Sequence, residues 1–398
     1  MPKSIPIKNL DIAVVGLGYV GASLAILLSK DFSVKAFDID SIKLSKIEDR
    51  DFSFVDDPKI KQITHNSSLS LKSVSSESEI YSSHIIFLCL PTNFNQEKKE
   101  FDTLIIDEYV KKISLHAPNS IIVIKSTVPI GFTQSLIKIY KNNKIIFSPE
   151  FLQEGRSVKD NLYPSRIILG GENNQAMEIV ANLINSFSLK KNVNTLFMAP
   201  DEAESVKLFS NMFLATRIAF FNELDTFAMN KKLDSASIIL GVSLDKRIGN
   251  FYNNPSFGFG GYCLPKDAMQ LVSDFGDIPN DLISSVLTSN INRKSEIIAY
   301  VRRNQITKLG IYKIENKLNS DNFRYSVILD LITAFQKFNI NVFIFDKSLK
   351  VDEFQNCKVY SSLAIFKKES EIILANRMSK ELMDVKDKVF SRDIFNRN

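Results

Sequence analysis

The amino-acid sequence predicts an α/β protein: two doubly wound, parallel-sheet domains joined by a central helical domain built on one long helix. Three observations carry that expectation. A short apolar run at 12–15 leads into Gly16-Leu17-Gly18-Tyr19-Val20-Gly21 and then into an apolar helix. Residues 201–230 read as a single helix with apolar side chains on most sides. Beyond Ile297 strand and helix patterns alternate again, without a second glycine motif. The expected boundaries are 1–200, 201–296 and 297–398, and 398 residues leave room for that many domains.

The run 12–15 suits a buried parallel strand. In the GxGxxG that follows, Gly16 permits the tight turn, Gly18 lets the backbone meet a pyrophosphate, and Gly21 packs helix on strand. The helix N-terminus, with Tyr19 and Val20, supplies N–H donors to the phosphates. A second strand at 34–37 ends at Asp38, 22 residues after Gly16. That carboxylate is placed to accept from both ribose hydroxyls and disfavours a 2′-phosphate, so a Rossmann-like site for NAD rather than NADP is expected. The bland alternative is that Asp38 begins a turn, or caps a helix from about Ser41. The stretch 12–29 has 18 residues without a charge, near the minimum for a membrane span. Its glycines and strand-to-helix break make it two buried soluble elements instead.

Further strands are expected at 85–90, 121–124 and 144–147, with Cys89 in a core strand and 67–83 as serine-rich surface. The loops after these strands, Pro91-Thr92-Asn93, Lys125-Ser126-Thr127-Val128-Pro129 and Ser148-Pro149-Glu150, should line a ligand crevice. Glu150 and Glu154 are four apart, which on a helix puts both on one face.

The long helix has too many apolar residues for one narrow stripe: Phe209, Met212, Phe213, Phe220, Phe221 and Phe227 among others. It must be buried on most sides, by its own chain and by a partner subunit. Lys207 and Asn211 project together from it. Next comes Phe257-Gly258-Phe259-Gly260-Gly261-Tyr262-Cys263-Leu264-Pro265-Lys266-Asp267. Its glycines allow close approach to a ligand. Lys266, with a helix end expected after Pro265, would favour a thiolate at Cys263. Taken alone, Cys263 reads more readily as an inert buried thiol. The third unit should place strands at 309–312, 341–345 and 371–375, a setting for a nucleotide other than NAD.

Composition narrows the function classes. The net charge is only +5, and no lysine–arginine block reads as a nucleic-acid arm. Three scattered cysteines and three scattered histidines form neither a disulfide framework nor a metal site. No secretory leader is evident, so a reducing cytoplasm is expected, with no membrane partner.

In order along the chain stand VVGLGYVGASLA, PTN, KSTVPIGFT, SPEFLQEG, DNLYPSRII, VKLFSN, FNELDTFA, RIGNFYNNPSFGFGGYCLPKD, SDNFR and SRDIF. With these motifs the chain resembles the UDP-glucose/GDP-mannose dehydrogenases over nearly its whole length, and among them the short bacterial members that act on UDP-glucose. The resemblance implies two successive NAD-dependent oxidations at one carbon, alcohol to acid. Cys263 is then the nucleophile, holding a thiohemiacetal and then a thioester. Lys207 stabilises the oxyanion. Asp267, with Thr127, Asn211 and Lys207, positions water, and Glu154 serves thioester hydrolysis. Substrate contacts are implied for Glu150, Phe151, Leu152, Glu154, Lys207, Asn211, Tyr252, Asn253, Asn254, Ser256, Phe257 and Gly260. Arg247 would reach the partner subunit's sugar site, and Lys317 the UDP phosphates. NAD contacts are implied for Asp38, Lys43, Thr92, Thr127, Glu154, Lys266 and Arg324. Segment 313–318 departs most from the family pattern. The product would feed capsule or other surface polysaccharide. Two other readings stand beside this one: a sibling oxidising UDP-N-acetylmannosamine or GDP-mannose, and an NAD-sensing binding module that kept the fold.

Overall fold

A computed structural model of the chain describes residues 10–66, 68–314 and 326–396. It divides into two compact units, Met1–Phe209 and Ser210–Asn398.

In the first unit eight strands form one sheet, in the order β10-β9-β8-β7-β4-β1-β2-β3. They are β1 (Asp11–Val15), β2 (Ser33–Phe37), β3 (Leu71–Ser73), β4 (Ile85–Leu88), β7 (Ile121–Ile124), β8 (Ile145–Phe147), β9 (Ile167–Gly170) and β10 (Thr195–Met198). A small hairpin, β5 (Phe94–Asn95) and β6 (Glu100–Phe101), stands apart. Pairing is parallel except between β8 and β9, where Phe147 opposes Gly170. Successive strand residues feed opposite faces. Ile12, Val14, Ile85 and Phe87 enter one core, while Ala13, Val15, Ile86 and Leu88 enter the other. A sheet covered on both faces needs such uninterrupted apolar strands. The 12–29 stretch divides as expected, into β1 and the helix Tyr19–Leu28. Among the described residues no helix is long and apolar enough to cross a membrane.

Three strands of this sheet were not among those expected. β3 falls in the serine-rich 67–83 segment, where a three-residue edge strand with a lysine at its centre leaves no apolar run to read. β9 and β10 extend the far side of the sheet, and β10 keeps much of its surface exposed.

The second unit carries a six-stranded sheet in the order β13-β14-β12-β11-β15-β16. Its strands are β11 (Lys308–Tyr312), β12 (Asn341–Phe345), β13 (Glu353–Phe354), β14 (Cys357–Val359), β15 (Ile372–Ala375) and β16 (Val389–Phe390). Leu309, Ile311 and Ile344 pack on one side with Ile297 and Val301 of the helix Asp281–Arg303. Tyr312, Phe343, Phe345 and Phe366 pack on the other. The fold class thus matches the expectation: two Rossmann-like α/β sheets and a long helix, Pro200–Lys231. Proline suits its first position, where an N–H would have no partner. Leu208, Met212, Ala215 and Phe221 are buried, but Phe213, Phe220 and Phe227 are 62%, 57% and 57% exposed. At intervals of seven, those three rings lie along one face of the helix.

Candidate active site

The dinucleotide motif sits at the C-terminal edge of β1. Gly16 has φ +89°, and a Cβ there would lie 2.4 Å from the Cys89 carbonyl oxygen. A Cβ on Gly21 would lie 1.9 Å from the Gly16 oxygen, so this glycine lets the helix seat against the turn. A Cβ on Gly18 would meet no described atom within 4 Å. Its backbone is open to an approaching ligand, at the N-terminus of a helix without a side-chain cap. That combination fits a pyrophosphate. Asp38 ends β2, and its Oδ2 accepts from the Leu17 N–H at 2.7 Å, tying the acid to the glycine turn. Lys43 Nζ lies 3.4 Å from the same oxygen. The helix expected from Ser41 is capped by Asp40, which accepts from Ile42 N–H, and not by Asp38.

The loops after β4 and β7 are locked together. Thr92 Oγ1 donates to the Thr127 carbonyl at 2.7 Å, and Ser126 Oγ both accepts from Leu90 N–H and donates to its carbonyl. Below Thr127, Glu204 of the long helix accepts from Gly131 N–H at 2.6 Å and Thr133 N–H at 2.8 Å. Burial pushes its carboxyl up to about 7, against the pull of those donors.

Lys207, which projects from the long helix, is buried. Its Nζ donates to the Glu150 carbonyl and to Glu150 Oε1, both at 2.7 Å. Burial works against charge on Glu150, but Lys207 and the Leu152 N–H outweigh it and hold the carboxyl below its ordinary range. Glu154 does not share a face with Glu150. Residues 151–156 are loop and turn, not helix, and Glu154 is exposed. Gly155, at φ +79°, makes a turn that a helix could not contain. A cavity of about 170 Å³ adjoins Glu150, lined in part by Lys125, Phe151, Leu152 and Arg166. Arg166 stacks on the Phe151 ring at 3.7 Å. Burial draws the Lys125 ammonium down to about 8, partly offset by the carboxylate of Glu150. Lys125 belongs to one of the loops expected to line a crevice, whereas Arg166 was given no role from sequence, since an isolated cation beside a turn reads as surface.

In the second unit the helix Cys263–Asp274 begins at the cysteine itself, ahead of the start expected after Pro265. Pro265 is tolerated inside the first turn, where no intrahelical N–H is lost. The positive end of the helix dipole therefore falls at Cys263 and favours an anion formed there. Asp267 is fully buried. Its Oδ2 accepts from Asn211 Nδ2 at 2.5 Å and its Oδ1 from Lys266 Nζ at 2.9 Å. Lys266 also lies over the Tyr262 ring, at 5.0 Å.

The preceding loop is held from several sides. Arg217 donates to the carbonyls of Ile248, Gly249 and Phe251 at 2.8–3.2 Å. Tyr252 takes φ +50°, a left-handed conformation unusual for a non-glycine. Asn253 donates to Ser243 Oγ at 2.8 Å. Ser256 N–H donates to Asn222 Oδ1 at 2.8 Å. Phe259 N–H and carbonyl both bond the Asn290 side chain. A Cβ at Gly258, φ +145°, would come within 2.8 Å of Asn290 Oδ1. Phe257 is buried against Phe390, so it offers a ligand its backbone rather than its ring. Gly260 lies in the same loop. Arg247 is exposed and pairs with Asp245 at 2.6 Å. Lys317 and Arg324 fall outside the described residues.

A Rossmann-like sheet with an open glycine turn, an acid at the end of β2, and a cysteine starting a helix beside a buried carboxylate define an NAD-dependent dehydrogenase. Comparison with known proteins narrows the class. The NAD binding domain of the UDP-glucose/GDP-mannose dehydrogenase family matches residues 10–188, and the central domain of that family matches residues 201–292. UDP-glucose 6-dehydrogenase of Campylobacter jejuni is 42% identical over 97% of this chain and 99% of its own length. UDP-glucose 6-dehydrogenase of Streptococcus pneumoniae is 38% identical over 98% and 100%. A UDP-glucose dehydrogenase from Pyrobaculum islandicum shares the fold, with TM-score 0.83 at 21% identity, covering 99% of this chain and 96% of that one. The chain belongs to the UDP-glucose/GDP-mannose dehydrogenase family, whose members oxidise nucleotide sugars with NAD.

Proposed function

We propose that this protein oxidises UDP-glucose to UDP-glucuronate, as a UDP-glucose 6-dehydrogenase feeding polysaccharide synthesis. The chemistry rests on one observation: Cys263 at a helix start, followed four residues later by a buried Asp267 held by Asn211 and Lys266. The choice of sugar rests on near full-length likeness to two proteins of that name. When bound, NAD accepts a hydride in each of the two oxidations. The first leaves an aldehyde, which has no hydride-donating alkoxide of its own. Addition of the Cys263 thiolate to its carbonyl carbon restores one, as a thiohemiacetal. Loss of the second hydride leaves a thioester. Attack by water on that carbonyl expels the thiolate, giving the carboxylate and regenerating Cys263.

The other residues take the roles their motifs imply. Lys207 faces the developing oxyanion, where a fixed cation in a dry site is most effective. Asp267, Asn211 and Thr127 orient water and carry its protons, and Glu154 acts in hydrolysis. The glycine turn, Asp38, Lys43, Thr92 and Lys266 serve NAD. Glu150, Phe151, Leu152 and the 252–260 loop hold the sugar nucleotide. A homodimer formed on the long helix lets Arg247 reach the partner's sugar site.

Purified protein given each sugar nucleotide with excess NAD tests the reading. Two NADH per UDP-glucose are expected, with UDP-glucuronate as the product. Turnover of an N-acetyl sugar nucleotide or GDP-mannose alone would sink it, as would binding of NAD without any turnover.

A further inference from the structure

We infer that the C-terminal segment 391–395 is a latch on the 252–260 loop, and that Arg392 and Asp393 are positioning residues that set sugar-nucleotide affinity without touching the ligand. The inference rests on the role proposed above for that loop.

Asn254 reads from sequence as a substrate contact, yet its amide is engaged at both ends by the C-terminus. Its Nδ2 donates to Asp393 Oδ1 at 2.5 Å, and its Oδ1 accepts from the Phe395 N–H at 3.3 Å. Two residues on, Ser256 is held by a buried charged group. Arg293 Nε donates to the Ser256 carbonyl at 2.9 Å, while Nη1 donates to the Asn222 carbonyl and, at 2.6 Å, to Thr226 Oγ1. Arg293 Nη2 donates at 2.5 Å to Asp225, which is fully buried. Asp225 in turn accepts two hydrogen bonds from Arg392, through Nε at 2.9 Å and through Nη2. Phe390 stacks between Phe257 and Tyr300, with centroids at 5.8 and 4.3 Å. Asn254, Ser256 and Phe257 are thus each tied to the chain end or to its anchor.

Two guanidiniums around one buried carboxylate are poor evidence of stability, since the same volume filled with apolar side chains would serve as well or better. What such a group provides is a fixed geometry. Here that geometry ties segment 391–395 to the residues that shape the proposed sugar site.

The test uses the full-length enzyme with UDP-glucose and NAD. Asp393→Ala removes the acceptor for Asn254, while Asp393→Asn keeps an oxygen there. Asp393→Ala should raise the KM for the sugar nucleotide about tenfold, the loss of one good hydrogen bond. The KM for NAD and kcat should stay within about twofold of wild type, and Asp393→Asn should recover most of the loss. Arg392→Ala should act in the same direction. It leaves Asp225 paired with Arg293, so folding is spared the unpaired carboxylate that Arg293→Ala would create. Hydrogen exchange provides a second reading without substrate. The amides of Asn254, Ser256 and Phe257 should exchange faster in both alanine variants, with those of β11 unchanged. Equal loss in both KM values, or Asp393→Asn no better than Asp393→Ala, would reduce the segment to scaffolding and overturn the inference. Faster exchange with an unchanged KM would overturn it too. If the wild-type protein fails to oxidise UDP-glucose, the proposed substrate falls, and the exchange comparison then decides the latch by itself.

Discussion

Glu204 shows how one buried side chain can make the whole fold sensitive to pH. Its carboxyl is raised from 4.5 to about 7 by burial. A raised acid holds its proton more tightly folded than unfolded, so its contribution to stability is complete below pH 4.5 and is lost as pH rises through 7. The loss amounts to about 3 kcal/mol across that window. Urea unfolding at pH 5 and pH 8 should reveal that slope in the wild type, and Glu204→Gln should flatten it. An identical slope in the variant would mean that other groups carry the titration. Cys263 gives the complementary chemical prediction. Cys263→Ser should bind NAD and the sugar nucleotide with ordinary affinity but stall before the acid, because an alcohol is a far weaker nucleophile than a thiolate. Mass spectrometry of the reaction mixture should find no UDP-glucuronate accumulating. Full conversion by the variant would remove the covalent role.

The long helix brings a different question, because its packing within one chain is incomplete. Phe213, Phe220 and Phe227 expose an apolar face too regular to be incidental. Phe251, whose carbonyl is held by Arg217 of the same helix, is 74% exposed. A second copy of the chain is the proposed cover. Burying each ring would contribute about 2 kcal/mol, so Phe220→Asp should shift the protein from dimer to monomer in gel filtration at micromolar concentration. A wild-type protein already monomeric there would contradict the proposed interface. The element boundaries teach a related lesson. Sequence placed the helix start after Pro265, because proline commonly marks a first turn. The structure starts it at Cys263, and that earlier start puts the thiol itself at the positive helix end.

Across the whole molecule, most of the architecture was legible in the sequence. The first βαβ unit, with its three glycines and Asp38, was readable because a nucleotide turn demands particular residues at fixed spacing, and steric limits allow few substitutes. Apolar runs marked the central strands of both sheets for the same reason: a sheet covered on both faces tolerates little else. Of the strands not expected, β3 has a mixed edge sequence with no apolar run to read, whereas β9 and β10 are apolar runs of four residues, too short for periodicity to tell strand from helix. Glu150 and Glu154 would share a face only on a helix, and spacing alone cannot tell a helix from a loop with a glycine turn, which is what the structure has there. The sequence by itself thus determined the fold class, the family and the cysteine to watch. Only the tertiary structure decided that Lys207 is buried and paired with Glu150, that Asp267 sits fully buried between Asn211 and Lys266, and that Arg392 and Asp393 close on Asp225 and Asn254. Apart from the neighbouring Lys266 and Asp267, those pairings join residues from 56 to 167 positions apart. Burial and partnership at such distances depend on packing, and no local pattern along the chain records them.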